Sequence, residues 1–125
     1  MIFGIGTDII EVERIKKMLM QNDALRQKLF TKAEQAYCDK GKATRFQSYA
    51  ARFAAKEAFF KALGTGYRYG MAFNEIEILN DELGKPFVKP YGKVKAFLEE
   101  NAVRDTHLSL SHLKEMAVAF VVIES

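Results

Sequence analysis

The stretch RFAAKEAFFKALGTG, from Arg52 to Gly66, joins a helical pattern to a glycine-containing loop and includes one residue that does not fit. At about 100° per residue, Glu57 shares a stripe of this helix with apolar or small residues, namely Phe46, Ala50, Phe53, Phe60 and Gly64. The opposite face carries alanines, so the helix can pack on both sides. A carboxylate there is costly unless a hydrogen bond, a cation or a metal compensates it. Glu57 is therefore a candidate functional residue.

The bulk properties predict one globular domain covering residues 1–125. The composition is 49% hydrophobic and 28% charged, which is ordinary for a soluble protein. No apolar run is long enough to span a bilayer, and MIFGIGTD at the N-terminus lacks the features of a signal peptide. The single cysteine, Cys38, cannot form an internal disulfide. We expect a cytoplasmic protein with no membrane partner.

The order of predicted elements, β-α-α-α-β-β-α-β-β, is typical of an α+β fold. Strands are predicted for IFGIGTDII, NEIEIL, the segment after DELGK, HLSLSH and MAVAFVVIE, the last two joined tightly at 113–115. The first helix carries Val12, Ile15 and Leu19 on one face, and TKAE at 31–34 is a capping box that opens the second. The long helix covers about 44–63 with Gly64 as its C-cap, and a short helix stops near Asn101.

A second acid lies in the first strand. Because side chains alternate along a strand, Asp8 shares a face with Gly4 and Gly6, where another backbone or a ligand can approach closely. The alternative is that Asp8 caps the following helix. A dinucleotide-binding loop does not fit, because the third glycine of G-x-G-x-x-G is replaced by Ile9.

Asp8 and Glu57 together can hold Mg²⁺, which usually takes one or two carboxylates plus phosphate oxygens and waters. Lys56 and Lys61, which neighbour Glu57, can then hold the phosphates. The alternative is a surface pair between Glu57 and Lys61, four residues apart on the helix. The sequence leaves both open.

The segment THLSLSH places His107, Ser109 and Ser111 on one strand face. This row is either the lining of a polar ligand site or a hydrated sheet surface. A Ser-His-Asp triad is poorly supported, since no G-x-S-x-G elbow is present.

Basic residues are concentrated in the segment 14–42, which suits an anionic partner or a solvated helix face. A nucleic-acid-binding module would require aromatic residues interleaved with the basic ones. The phenylalanines lie mostly at core spacing instead, so we do not expect nucleic acid as the partner.

Three segments, GIGTDIIEVERI at the N-terminus, RFAAKEAFFKALGTG and LSLSH, occur in that order in a chain of this length. In this combination the sequence resembles the short class of 4′-phosphopantetheinyl transferases, the holo-[acyl-carrier-protein] synthases. The resemblance extends over essentially the whole chain, including GKPFV around Pro86. It implies the fold of that family, with helices packed on a small antiparallel sheet, and a homotrimer with the active site at the subunit interface.

The resemblance also implies roles for individual residues. Asp8 and Glu57 would be the protein ligands of Mg²⁺, and Lys61 would bind the phosphates of coenzyme A, making these three the catalytic residues. The remaining coenzyme contacts would come from Arg52, Lys56, Gly64, Gly66, Pro86, His107 and Ser109. The third acid of larger relatives corresponds to Ile10 here, so a water would complete the metal shell.

The implied reaction is attack by a serine hydroxyl of apo acyl carrier protein on the β-phosphate of coenzyme A, releasing 3′,5′-ADP, as a step in fatty acid biosynthesis. The proton would pass through an ordered water to Glu57, with Asp8 and His107 as alternatives. The acidic carrier would dock on the first helix at Arg14, Lys17 and Met18, with Arg26 extending that surface.

Overall fold

A computed structural model describes residues 1–125. The five helices are α1 (Val12–Gln21), α2 (Asp23–Leu29), α3 (Lys32–Lys40), α4 (Arg45–Leu63) and α5 (Gly92–Glu100). The five strands are β1 (Ile2–Glu11), β2 (Ile76–Asn80), β3 (Pro86–Pro90), β4 (Asp105–His112) and β5 (Met116–Glu124). The α+β class is thus confirmed, with short 3-10 turns at Lys42–Thr44 and Phe73–Glu75.

The element order differs from the expected one by a single helix, α2. Its seven residues are too few to show a clear apolar period, although the Asn22 side chain caps it by accepting a hydrogen bond from the Leu25 backbone N–H. The capping residues predicted for α3 and α4 are confirmed. Thr31 and Glu34 form the capping box of α3, and Gly64 ends α4 in the left-handed conformation, with φ 77°.

The strands divide between two antiparallel sheets. One has the order β1-β5-β4, so the N-terminal strand pairs with the C-terminal one, and the other is the hairpin of β2 and β3. In the larger sheet Asp8 lies opposite Ala119, and Leu110 lies opposite Ala119 on the other side. The alternation of side chains turns one face of this sheet toward α4 and the other outward.

Helix α4 runs through the centre of the molecule, and 13 of its 19 residues are buried. The inner face of the larger sheet packs on the alanines of α4 with almost no space between the backbones. A Cβ atom at Gly4 would lie 1.8 Å from the carbonyl oxygen of Ala62, and one at Gly6 would lie 1.9 Å from that of Ala58. The glycine-lined face predicted for β1 is therefore occupied by a helix, and this contact places the end of β1 beside the C-terminal half of α4.

The apolar side chains form one connected core of 27 buried residues. None of the helices combines enough length and apolar character to cross a bilayer.

Candidate active site

The two acids singled out in the sequence lie where β1 passes over the C-terminal half of α4. Asp8 follows Gly6 on the inner face of the strand, and its carboxylate accepts a hydrogen bond from Lys61 Nζ at 3.2 Å. Lys61 also donates to the backbone oxygen of Thr7 at 2.9 Å. The Asp8 side chain does not cap α1, because no side chain makes a cap hydrogen bond at that N-terminus.

Lys61 does not form the surface pair with Glu57 that the helical spacing allows. Its ion pair is with Asp8, and its side chain is still 55% exposed. The ammonium group therefore links the strand to the helix and retains an exposed surface. This position suits a cation that binds an incoming anion.

The carboxylate of Glu57 accepts a hydrogen bond from the hydroxyl of Tyr67, Oη to Oε2, at 2.5 Å. Burial and the carboxylates of Glu57 and Asp8 raise the pKa of Tyr67, so the phenol keeps its proton and acts as a donor. Tyr67 was missed in the sequence because a single loop tyrosine after GTG carries no local pattern.

An open cavity of about 400 Å³ lies at this point. Its lining consists of Glu57, Phe60, Lys61, Gly64, Gly66 and Tyr67. Gly64 and Gly66 both have positive φ, and a side chain at either position would be strained. Three residues expected to contact the coenzyme, Lys61, Gly64 and Gly66, are thus brought together with Glu57, an expected metal ligand. Asp8 is joined to this group through its ion pair with Lys61.

The donor set fits Mg²⁺. Glu57 lines the cavity, and Asp8 is paired with Lys61 of the same lining. No group of three or more His, Cys, Asp or Glu side chains forms a closed metal cage. Mg²⁺ commonly takes one or two carboxylates and completes its octahedron with phosphate oxygens and waters. Ile10 is 3% exposed and belongs to the core, so its side chain offers no third ligand.

Lys56 requires a correction. Its side chain has no exposed surface, and Nζ donates to Glu34 Oε1 at 2.8 Å and to the backbone oxygens of Phe73 and Ile76 at 2.9 and 2.7 Å. Burial lowers the pKa of this ammonium, and the Glu34 carboxylate opposes the shift. All three of its hydrogens are used inside the protein, so Lys56 is not available for the expected contact with the coenzyme.

Arg52 and Pro86 lie together, away from the cavity. The Arg52 guanidinium is buried over the ring of Tyr37 and donates to Asn80 Oδ1 at 2.6 Å. Asn80 is the strand partner of Pro86. The expected coenzyme contacts of these two residues stay predictions, and they concern a different part of the surface from the cavity at Glu57.

His107 and Ser109 lie on the outer face of the larger sheet, whereas Asp8 lies on the inner face. His107 is opposite Val122 and contacts Glu124 Oε1 at 2.5 Å; Ser109 is opposite Phe120. This contact lowers the pKa of Glu124. Within one chain, the sheet therefore separates these two residues from the cavity.

The expected docking residues lie on α1 and α2. Val12, Ile15 and Leu19 are buried, and Arg14 and Lys17 are exposed on the other side of α1. Met18 is half-buried and packs against the core. Arg26 on α2 is held by Asp23 at 2.7 Å and Asp39 at 3.6 Å.

The chain is similar to known proteins in sequence and in fold. Residues 4–121 match the model of the 4′-phosphopantetheinyl transferase superfamily. The chain belongs to this superfamily. It is accordingly a transferase, and the resemblance seen in the sequence is confirmed.

Relatives of this transferase cover nearly its whole length. A holo-[acyl-carrier-protein] synthase of Ruminiclostridium cellulolyticum is 51% identical over 95% of this chain and 90% of its own. The crystal structure of the synthase from Neisseria meningitidis superimposes with a TM-score of 0.91 at 37% identity, covering both chains completely. The Bacillus anthracis synthase, solved in complex with CoA (3′,5′-ADP), gives 0.82 at 43% identity over 100% of this chain and 98% of its own.

Proposed function

We propose that this transferase moves the 4′-phosphopantetheine group of coenzyme A to a serine of apo acyl carrier protein in fatty acid biosynthesis. A bond forms between the serine oxygen and the β-phosphorus, the bond from that phosphorus to the bridging oxygen breaks, and 3′,5′-ADP leaves. The observation that carries the proposal is the cavity that joins Glu57, Lys61 and the glycine loop beside Asp8. The holo-[acyl-carrier-protein] synthases similar to this chain support the choice of substrates.

The acidic residues at the cavity would bind the metal, and the basic residue would bind phosphate. Asp8 and Glu57 would hold Mg²⁺, which supplies positive charge to the pyrophosphate during phosphoryl transfer. Lys61 would bind a phosphate oxygen, because its ammonium is exposed and already positioned by Thr7 and Asp8. The serine proton would pass to the Glu57 carboxylate through an ordered water. Catalysis would then consist mainly of positioning the reactants and neutralising the charge on the phosphates.

The carrier would dock on the exposed basic side of α1. Arg14 and Lys17 offer positive charge there, and Met18 adds a half-buried apolar contact beside them. Arg26 would contribute less than the sequence suggests, because its guanidinium is shared between Asp23 and Asp39. Such a surface mainly raises the association rate with an acidic protein.

We also propose a homotrimer, built on the outer face of the larger sheet. Ile5, Ile9 and Phe120 are 59%, 60% and 46% exposed there, and Val118 lies between Ile9 and Ser111. Exposed apolar patches of this kind usually mark interfaces. His107 and Ser109 lie on the same face. Assembly would therefore bring them toward a neighbouring subunit, where they would complete its coenzyme site.

The cytoplasm is the compartment that we propose for the reaction. The one cysteine, Cys38, is buried, and burial raises the pKa of its thiol to about 12. A buried protonated thiol is unreactive, as suits a protein that uses no disulfide.

The test is direct. The protein is mixed with apo acyl carrier protein, coenzyme A and Mg²⁺, and the carrier is weighed by mass spectrometry. A mass gain of one phosphopantetheine on the carrier serine, lost when coenzyme A is omitted, is the expected result. An unchanged carrier mass, with active coenzyme and metal, would refute the proposed function.

A further inference from the structure

The loop after α4 places an aromatic hydroxyl on the Glu57 carboxylate, and this contact is built from several elements. Tyr67 Oη donates to Glu57 Oε2 at 2.5 Å. The other carboxylate oxygen, Oε1, accepts no hydrogen bond from the chain. One oxygen of Glu57 is therefore held by the protein, and the other is available to a ligand in the cavity that both residues line.

The ring of Tyr67 packs against two aromatic neighbours. It meets Phe60 edge-on, with ring centroids 5.2 Å apart, and lies against Phe73 at the same centroid distance. Phe73 in turn stacks on Phe53 at 5.6 Å with an interplanar angle of 9°. Although Tyr67 is 56% exposed, these ring contacts restrict the position of its hydroxyl together with the hydrogen bond.

The backbone at Phe73 is anchored as well. Its carbonyl oxygen accepts a hydrogen bond from Lys56 Nζ, and Lys56 is paired with Glu34 inside the protein. The buried lysine next to Glu57 in the sequence thus supports, through Phe73, the tyrosine that holds Glu57. This connection anchors the backbone next to the Tyr67 ring, although the lysine has no access to the cavity.

We propose that Tyr67 is a positioning residue that orients the Glu57 carboxylate for the divalent cation; this inference rests on the metal site of the proposed function. A carboxylate free to rotate must be ordered when the metal binds, whereas Tyr67 orders it beforehand. Hydrogen bonds to metal-ligating side chains typically contribute tenfold to a hundredfold to metal affinity. The phenol leaves Oε1 free, so the cation does not have to displace it.

The test uses Tyr67→Phe, which removes the hydroxyl and keeps the packed ring. The matched control is Tyr69→Phe in the same loop, because the Tyr69 ring stacks on Phe97 and its hydroxyl makes no hydrogen bond within the chain. Glu57→Ala reports on the metal site itself. Mn²⁺, a paramagnetic substitute for Mg²⁺, is titrated by electron paramagnetic resonance with saturating coenzyme A and no carrier protein, so that no turnover occurs.

We expect Tyr67→Phe to weaken Mn²⁺ binding about tenfold, with an unchanged Tm and an unchanged affinity for coenzyme A. Tyr69→Phe should bind as the wild type does. If Glu57→Ala loses Mn²⁺ while Tyr67→Phe binds normally, the positioning role is overturned and the metal site stands. If Glu57→Ala binds as the wild type does, or if the wild type itself shows no saturable binding, the metal site fails and the role of Tyr67 fails with it.

Discussion

The position of Glu57 in the fold explains why a carboxylate occurs on an otherwise apolar stripe of its helix. The sequence placed it on an apolar stripe, and the structure places its carboxylate at the wall of a cavity, with Tyr67 as donor and Lys61 as neighbour. Asp8 reaches the same region from β1 through its contact with Lys61. Neither acid is isolated in the core, so the unfavourable burial that the sequence indicated is largely avoided.

Removing either acid should abolish metal-dependent transfer without unfolding the protein. We expect Asp8→Ala and Glu57→Ala each to lower kcat/KM by about a hundredfold or more, because charge on the transferred phosphate would no longer be neutralised. Glu82→Ala, in the exposed turn of the β2–β3 hairpin, is the control. Circular dichroism checks the fold, and Mg²⁺ titrations of the initial rate check the cause. Full activity of Glu57→Ala would disprove its assignment as a ligand.

The buried pair of Lys56 and Glu34 should contribute to stability rather than to binding. Lys56→Met leaves the Glu34 carboxylate in the core without its cation, and breaking a buried pair in this way typically costs about 3 to 5 kcal/mol. Lys61→Met is the matched lysine control, because its ion pair is half-exposed and should change stability by less than about 1 kcal/mol. Urea denaturation measures both. Equal losses for the two variants would contradict this account.

At the scale of elements, the site depends on how closely β1 approaches α4. The strand carries glycine at two positions on its inner face, and the helix carries Ala58 and Ala62 opposite them. Larger residues on either element would separate the backbones and move Asp8 away from Lys61. The small residues of GIGTD and of the alanine-rich helix face therefore act together to position Asp8 beside Lys61.

Gly6→Ala should be strongly destabilising, because its Cβ would lie 1.9 Å from the backbone oxygen of Ala58, which cannot rotate away. We expect a loss of about 2 to 3 kcal/mol in the free energy of unfolding. Gly41→Ala is the matched control. Its Cβ would lie 2.6 Å from the side-chain oxygen of Thr44, which can rotate, and no closer than 3.5 Å to any backbone atom of a non-adjacent residue. Because alanine also tolerates its φ of −73°, the change should stay within about 1 kcal/mol. Similar stabilities for both variants would show that the contact relaxes easily.

Helix α1 should act on the carrier and not on the coenzyme. Arg14→Ala is expected to raise KM for the carrier about threefold while leaving KM for coenzyme A unchanged, and the difference should shrink at high salt. Lys95→Ala, an exposed lysine on α5, is the control. Initial rates at varied carrier and coenzyme concentrations measure both constants. Equal changes in the two KM values would count against docking on α1.

At the scale of the whole molecule, the larger sheet has two unlike faces. Its inner face is covered by α4, and its outer face carries exposed apolar side chains beside His107 and Ser109. A single chain leaves this outer face in water and keeps these two polar residues apart from the cavity. The proposed trimer resolves both features with one interface.

Phe120→Lys should therefore disrupt assembly. A charge in the middle of the outer face cannot be buried against a second copy, so light scattering should show the 14.2 kDa chain alone instead of three copies. Transfer activity should fall with it. Leu83→Lys is the control, since Leu83 is 95% exposed in the hairpin turn and lies outside this face. A wild-type protein that is monomeric at all concentrations would refute the trimer.

Features that depend on neighbours along the chain could be predicted from the amino-acid sequence alone. The capping box at Thr31, the end of α4 at Gly64, the alternation along β1 and β4 and the two candidate acids could all be predicted, because each follows from spacing along the chain. Helix α2 escaped prediction since seven residues are too few for a period.

Which side chains contact one another depends on how the helices and strands pack. In the folded chain, Lys61 pairs with Asp8 and not with Glu57. Lys56 is buried in an ion pair with Glu34, and the Tyr67 hydroxyl donates a hydrogen bond to Glu57. Lys56 and Lys61 look alike in the sequence, yet their positions around α4 differ enough to bury one ammonium and expose the other. Contacts such as Lys61 with Asp8 join residues more than fifty positions apart, and no local period carries that information. The contact of Lys61 with Asp8 exists because the glycines of β1 let the strand lie directly on the helix.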